Sequence, residues 1–90
     1  MQRVILSGDL DYSTESQTRA VLAEAIAIDD DEVVADGSAV TFVDSSGLRA
    51  LLGARAALAA VGRHFSIENT SSAMRRVIEI TGLADLIDVR

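Results

Sequence analysis

The stretch Val40-Thr41-Phe42-Val43-Asp44-Ser45-Ser46-Gly47-Leu48 decides how this chain folds. A short apolar run suited to a strand passes without a spacer into Asp-Ser-Ser-Gly. Leu48, Leu51, Leu52 and Leu58 then mark the buried face of a helix. The reading is strand, tight junction, helix, with the helix running from about Ser46 to Val61. A helix N-terminus presents unpaired amides and the positive end of the helix dipole, so a serine there sits where a phosphate is welcome. Ser and Asp are also favoured N-caps, worth ~1 kcal/mol, so plain capping explains the same residue types. The two uses are compatible. Ser46 is expected as the cap, Gly47 as a point of close approach and Leu48 as the first core anchor. Gly53, mid-helix, costs ~1 kcal/mol relative to Ala, which close packing of helix on sheet would offset.

The flanks alternate in the same way. Arg3 to Ser7 reads as a strand ended by Gly8, and Asp9-Leu10-Asp11 as a loop. Thr14 and Gln17 have capping-box spacing, so a helix starts near Thr14. Its apolar stripe is Val21, Leu22, Ala25 and Ile26, and Glu15 and Arg19 form an i, i+4 pair on its wet face. Asp29-Asp30-Asp31-Glu32 is a solvated turn. A calcium loop needs alternating ligands and a turn glycine where Val33 and Val34 stand. Val33 to Ala35 is a buried strand candidate, Asp36-Gly37 a turn signal. Gly62 suits a helix C-cap, and Phe65-Ser66-Ile67-Glu68 alternates as a half-buried strand does. Ser71 or Ser72 caps a third helix whose Met74, Val77, Ile78 and Thr81 share a face. Gly82 ends it, and Leu83 to Val89 is a helical turn followed by strand. This alternation predicts an α/β fold, a single domain over residues 1–90 with a mixed, mostly parallel sheet.

Ninety residues, 49% hydrophobic and 24% charged, suit one small globular domain rather than a disordered chain. The three aromatic residues are Tyr12, Phe42 and Phe65, so the core is built from Val, Ile, Leu and Ala. A net charge of -6 opposes direct binding to nucleic acid or an anionic membrane and favours a partner with a basic patch. All eight basic residues are Arg, which can grip a carboxylate or phosphate through two parallel bonds. There is no Cys, no apolar run near the ~20 residues of a membrane span, and no signal-peptide pattern after Met1. The expected address is cytoplasmic, without membrane insertion.

The common catalytic constellations are missing. The one His, His64, lacks a Cys partner, no GxxxxGK[ST] phosphate loop exists, and Asp44-Ser45-Ser46-Gly47 lacks the first glycine of a GxSxG elbow. Asp9, Asp11 and Asp44 can cluster at the end of the sheet where α/β ligands bind, as a Mg²⁺ or weak nucleotide site. Solvated loop acids are the simpler reading. No enzyme activity, cofactor or metal is expected. A phosphoserine at position 45 would add about -1.5 to -2 charge beside Asp44, changing the surface without refolding the chain.

Three segments, in order, resemble the STAS domains of the anti-sigma factor antagonist family: Leu6-Ser7-Gly8-Asp9-Leu10-Asp11, Val40 to Leu48 with Leu51-Leu52, and Met74-Arg75-Arg76-Val77-Ile78-Glu79-Ile80-Thr81-Gly82-Leu83. The resemblance covers nearly the whole chain. It implies helices packed on a mixed sheet and a non-catalytic role: binding an anti-sigma factor that is also a serine kinase, and so releasing a sigma factor. It implies phosphorylation of Ser45 by that kinase, which breaks the complex, and reversal by a metal-dependent serine phosphatase. It places Asp9 and Asp11 with Asp44, Ser46, Gly47, Leu48 and Arg49 on the docking surface. The family's usual first strand has no counterpart before Gly8, which would leave a sheet edge open to weak self-association. The family's strand before the serine motif is replaced by Val33-Val34-Ala35-Asp36-Gly37-Ser38, with Gly37 weakening it. The alternative is a STAS regulatory or structural subunit of an ATP-driven lipid or solute transport system. The intact Asp-Ser-Ser favours the antagonist.

Overall fold

Alternating side chains in β1 (Gln2–Leu10) bury Val4, Leu6 and Leu10 and leave Arg3, Ile5, Ser7 and Asp9 outside. The strand therefore continues through Gly8, which takes a positive φ of 73°, and Asp9 and Leu10 belong to it rather than to a loop. The computed structural model describes residues 1–28 and 31–90. Asp29 and Asp30 of the expected acidic turn lie outside the described residues. After β1 come a 3₁₀ turn (Tyr12–Thr14), α1 (Glu15–Ala27), β2 (Glu32–Val43), α2 (Ser45–Ala59), β3 (His64–Glu68), α3 (Ser72–Thr81), a second 3₁₀ turn (Leu83–Asp85) and β4 (Asp88–Val89). The sheet order is β1-β2-β3-β4 and every pairing is parallel.

β2 is one strand of 12 residues, so Val40–Val43 continues the strand that Val33 to Ala35 belong to. Asp36-Gly37, read from sequence as a turn, is a bulge: Ile5 pairs with Asp36 and Ser7 with Ala39, so three steps on β2 match two on β1. A second irregularity matches Gly8 and Asp9 to Val40 and Phe42. The Asp36 carboxylate holds the first bulge by accepting from the Ser38 amide (2.9 Å), the Ser38 hydroxyl (2.7 Å) and the Asn69 amide group (3.0 Å). Gly37 is needed on packing grounds, because a methyl there would overlap the Met74 sulfur of α3. Ser71 caps α3 by accepting from the Met74 amide (3.1 Å), and its own amide donates to the Gly37 carbonyl (3.1 Å). Gly82 closes α3 in the left-handed conformation.

One face of the sheet carries the core. Val4 and Leu6, Val33 and Ala35, Phe65 and Ile67 pack with Leu22, Leu51, Leu58, Met74, Ile78 and Ile87. Val21 falls off this stripe and is 43% exposed, and Leu48 and Leu52 are only partly buried. The opposite face has a layer of charge. Arg3 bridges Glu68 (3.0 Å) and Asp36 (3.8 Å), and Arg90 reaches Glu32 (2.6 Å), Asp88 (3.1 Å) and Glu68 (3.4 Å). His64 meets Asp88 at 3.1 Å, which accounts for it as a surface pair. Val34 and Ser66 lie in register on this face and are 0% exposed. Ser66 is thus fully buried, where alternation alone suggested half-burial.

Two glycines of α2 lie close to neighbouring elements, one to backbone and one to a side chain. A methyl on Gly47 would overlap the Leu10 carbonyl oxygen and Cβ. At Gly53 the neighbour is the Arg19 guanidinium of α1, 3.2 Å from an added Cβ, so this glycine faces a helix and not the sheet. Gly47→Ala is expected to lose about 2–3 kcal/mol, because backbone must move. Gly53→Ala is expected to gain up to about 1 kcal/mol, because a flexible side-chain end can yield. Urea denaturation of both variants checks the contrast. The bonds to Asp36, first that from the Ser38 amide, lower its pKa from 3.8 to about 2. A lowered carboxylate pKa stabilises the folded chain above the unfolded value, and this is lost as pH falls through the folded one. Asp36→Asn should therefore be less stable than the parent at pH 7, with the gap closing between about pH 4 and pH 2 in denaturation at stepped pH.

Candidate functional site

The site forms where β1 and β2 end together. Leu10 pairs with Val43, and the Asp44 amide donates to the Leu10 carbonyl (3.1 Å). The chain turns into α2 at that bond, and Asp44 is the N-cap: its Oδ1 accepts from the Ser46 amide (2.8 Å) and the Gly47 amide (3.2 Å). The helix begins at Ser45, one residue earlier than the sequence suggested, and the cap is Asp44 rather than Ser46. Two of the amides expected to welcome an anion are thus already engaged by a carboxylate. Ser45 is exposed in the first turn. Ser46 is 4% exposed, and its hydroxyl accepts from the Arg49 guanidinium (3.2 Å).

Asp11 stands directly beyond Leu10. It forms a reciprocal capping box with Thr14: the Thr14 amide donates to its Oδ1 (3.2 Å) and its own amide donates to Thr14 Oγ1 (3.0 Å). The box is therefore Asp11–Thr14, not Thr14–Gln17. The Ser13 hydroxyl (2.7 Å) holds the Asp11 carboxyl below its ordinary pKa. Asp9 accepts from the Thr41 hydroxyl (2.6 Å) across the strand pair. Glu15 is held low by Arg19, bonded at 2.9 Å, with smaller help from Arg49.

Asp9, Asp11, Asp44, Ser45, Ser46, Gly47, Leu48 and Arg49 all lie at or next to this junction of β1, β2 and α2. Gly47 and Ser46 are buried, so they shape the surface from beneath. Among the described residues no group of three acidic or histidine side chains is arranged to hold a metal ion. Two residues that sequence reasoning assigned no part are here. Tyr12, after Asp11, is 82% exposed, and Phe42, paired with Asp9, is 51% exposed. Two of the chain's three aromatic residues are thus exposed where β1 and β2 end. Their signal in the sequence was weak: Tyr12 follows an acidic loop, and Phe42 sits in an apolar strand that ends at the sheet rim.

No helix among the described residues is long and apolar enough to cross a membrane. Comparison with curated proteins gives no match. Among solved structures, the anti-sigma factor antagonist SpoIIAA in its unphosphorylated form superposes with a TM-score of 0.76 at 27% identity, over 99% of this chain and 80% of that one. The Bacillus SpoIIAA in its phosphorylated form gives 0.69 at 28%, over 98% and 80%. An anti-sigma factor antagonist from Mycobacterium paratuberculosis gives 0.84 at 29%, over 97% and 74%. A sulfate transporter family protein from Wolinella succinogenes gives 0.77 at 14%, over 93% and 68%, a likeness of fold alone. The STAS-domain family model matches residues 4–90. With the Asp-Ser-Ser-Gly junction set on a parallel α/β sheet, the chain belongs to the STAS-domain family.

Proposed function

We propose that this chain is an anti-sigma factor antagonist that binds an anti-sigma factor serine kinase, so releasing a sigma factor, and is switched off by phosphorylation at Ser45. A serine phosphatase reverses the switch, and the chain does no chemistry of its own. The cytoplasm, where sigma factors act, is its place. The observation that carries this reading is Ser45 itself, exposed in the first turn of α2, beside a capping carboxylate and at a rim bearing Tyr12 and Phe42. Exposed aromatics are the residue types that anchor protein interfaces. Two antagonist structures of 27% and 29% identity support it further, whereas the transporter likeness at 14% carries no function.

The physics of the switch is surface chemistry. Ser45 projects from a helix whose first turn is already capped, so a phosphate changes the local charge and leaves the packing alone. A partner matched to a neutral hydroxyl then meets repulsion from phosphate and Asp44 together, a penalty on the order of several kcal/mol. SpoIIAA superposes on this chain in both its unphosphorylated and its phosphorylated form, consistent with a modification the fold tolerates.

Incubation with cognate anti-sigma kinases and ATP, followed by mass mapping, should place the label on Ser45. Absence of label there with every cognate kinase counts against the proposal. Ser45→Asp should weaken kinase binding at least about tenfold with an unchanged circular dichroism spectrum. Unchanged affinity would sink the mechanism. Cap and switch are separable: Asp44→Ala should lose about 1 kcal/mol of stability and Ser45→Ala almost none, as chemical denaturation would show.

A further inference from the structure

β1 is an edge strand, and among the described residues no strand pairs with its outer side. A groove runs along that side for the length of the strand. Its floor is β1, and its wall is the outer flank of α1, from Thr14 and Thr18 through Val21 to Ile28. Apolar surface is concentrated there: Ile5 is 69% exposed, Ile28 49% and Val21 43%. A long, open strand edge of this kind is a template for another extended strand.

We infer that this edge pairs with the same edge of a second copy, β1 against β1, antiparallel about a two-fold axis through Leu6. The register follows from the sequence. Full overlap of the nine residues Gln2–Leu10 places residue i opposite residue 12 − i of the other copy. Arg3 then faces Asp9, Val4 faces Gly8, Ile5 faces Ser7, and Leu6 faces itself. Arg3 and Asp9 share the helix-free face of the sheet, so the two-fold creates two oppositely charged pairs, one at each end. Arg3 is 40% exposed at its side chain while bridging Glu68 and Asp36, and Asp9 is exposed while accepting from Thr41. A slip by one residue would put the helical layers of the two copies on opposite faces. A slip by two would shorten the pairing and part Arg3 from Asp9, leaving Arg3 opposite Ser7 or opposite Asp11, whose carboxylate already caps the 3₁₀ turn. Charge complementarity and strand length therefore select one arrangement, which carries α1 of one copy alongside α1 of the other, with the two Val21 side chains toward the axis. The interface is isologous and closed, so it stops at a dimer. It leaves the Ser45 junctions at opposite ends of a continuous sheet, and it does not depend on the phosphoserine reading.

Sedimentation velocity of the chain over a concentration series up to about 1 mM should show a reversible monomer–dimer equilibrium. Arg3→Glu and Asp9→Arg should each raise the dissociation constant about tenfold, and the double reversal should return it to within about threefold of the parent. Circular dichroism verifies that each variant is folded. Asp9→Arg leaves the Arg3 bridges intact, and Ile5→Lys, at an exposed position, gives an independent weakening should Arg3→Glu fail to fold. A chain that is monomeric throughout overturns the inference. So does a dimer indifferent to Asp9→Arg, or a monomer that instead takes up an extended peptide from another protein along β1.

Discussion

The constraint on which the rest depends is the meeting of α2 with the end of β1 at Leu10. One carbonyl, that of Leu10, accepts the Asp44 amide while Gly47 passes over the same group with no side chain in the way. Any Cβ at position 47 would push the helix off the strand. With it would move Leu51 and Leu58, both 0% exposed, which form the middle of the core. The contact also fixes where the first turn of α2 begins. Asp44 must face the helix axis to cap it, Ser46 must turn inward, and Ser45 is left facing out. The exposure of that one hydroxyl is thus a consequence of core packing several ångströms away.

Much of this was legible in the sequence. The strand-to-helix passage at Val43–Asp44, the stop at Gly82 and a serine cap at Ser71 or Ser72 each depend on local chemistry and were readable locally; the structure assigns the cap to Ser71. What was not legible involves partners distant in sequence. Asp36-Gly37 carries a strong turn signal, yet Arg3, Asn69 and Met74 together hold it inside a strand as a bulge. Thr14–Gln17 and Asp11–Thr14 have the same spacing, and only the length of β1 decides which box forms. Burial of Ser46 and exposure of Tyr12 and Phe42 follow from where the sheet ends, which no periodicity encodes.

The charged face of the sheet has a structural role of its own. Exposed ion pairs contribute little each, ~0–1 kcal/mol. Their service here is coverage. Arg3 and Arg90 spread over a face that has no helices, and beneath that layer Val34 and Ser66 lose all contact with water. Long arginine stems are suited to this, since they cover apolar surface while the guanidinium stays wet. A two-residue strand such as β4 could not hold its place by ladder bonds alone. Arg90 ties it to Glu32 of β2 and Glu68 of β3.

The capping carboxylate has a wider consequence. Because Asp44 already satisfies the Ser46 and Gly47 amides, an added phosphate on the neighbouring residue would not complete the helix; it would be a second anion at an end that needs only one. The fold would then have little thermodynamic preference between a free and a phosphorylated Ser45. Under the proposed switch, how long each state lasts would be left to the enzymes that write and erase it, which would make the protein a passive memory of their relative rates.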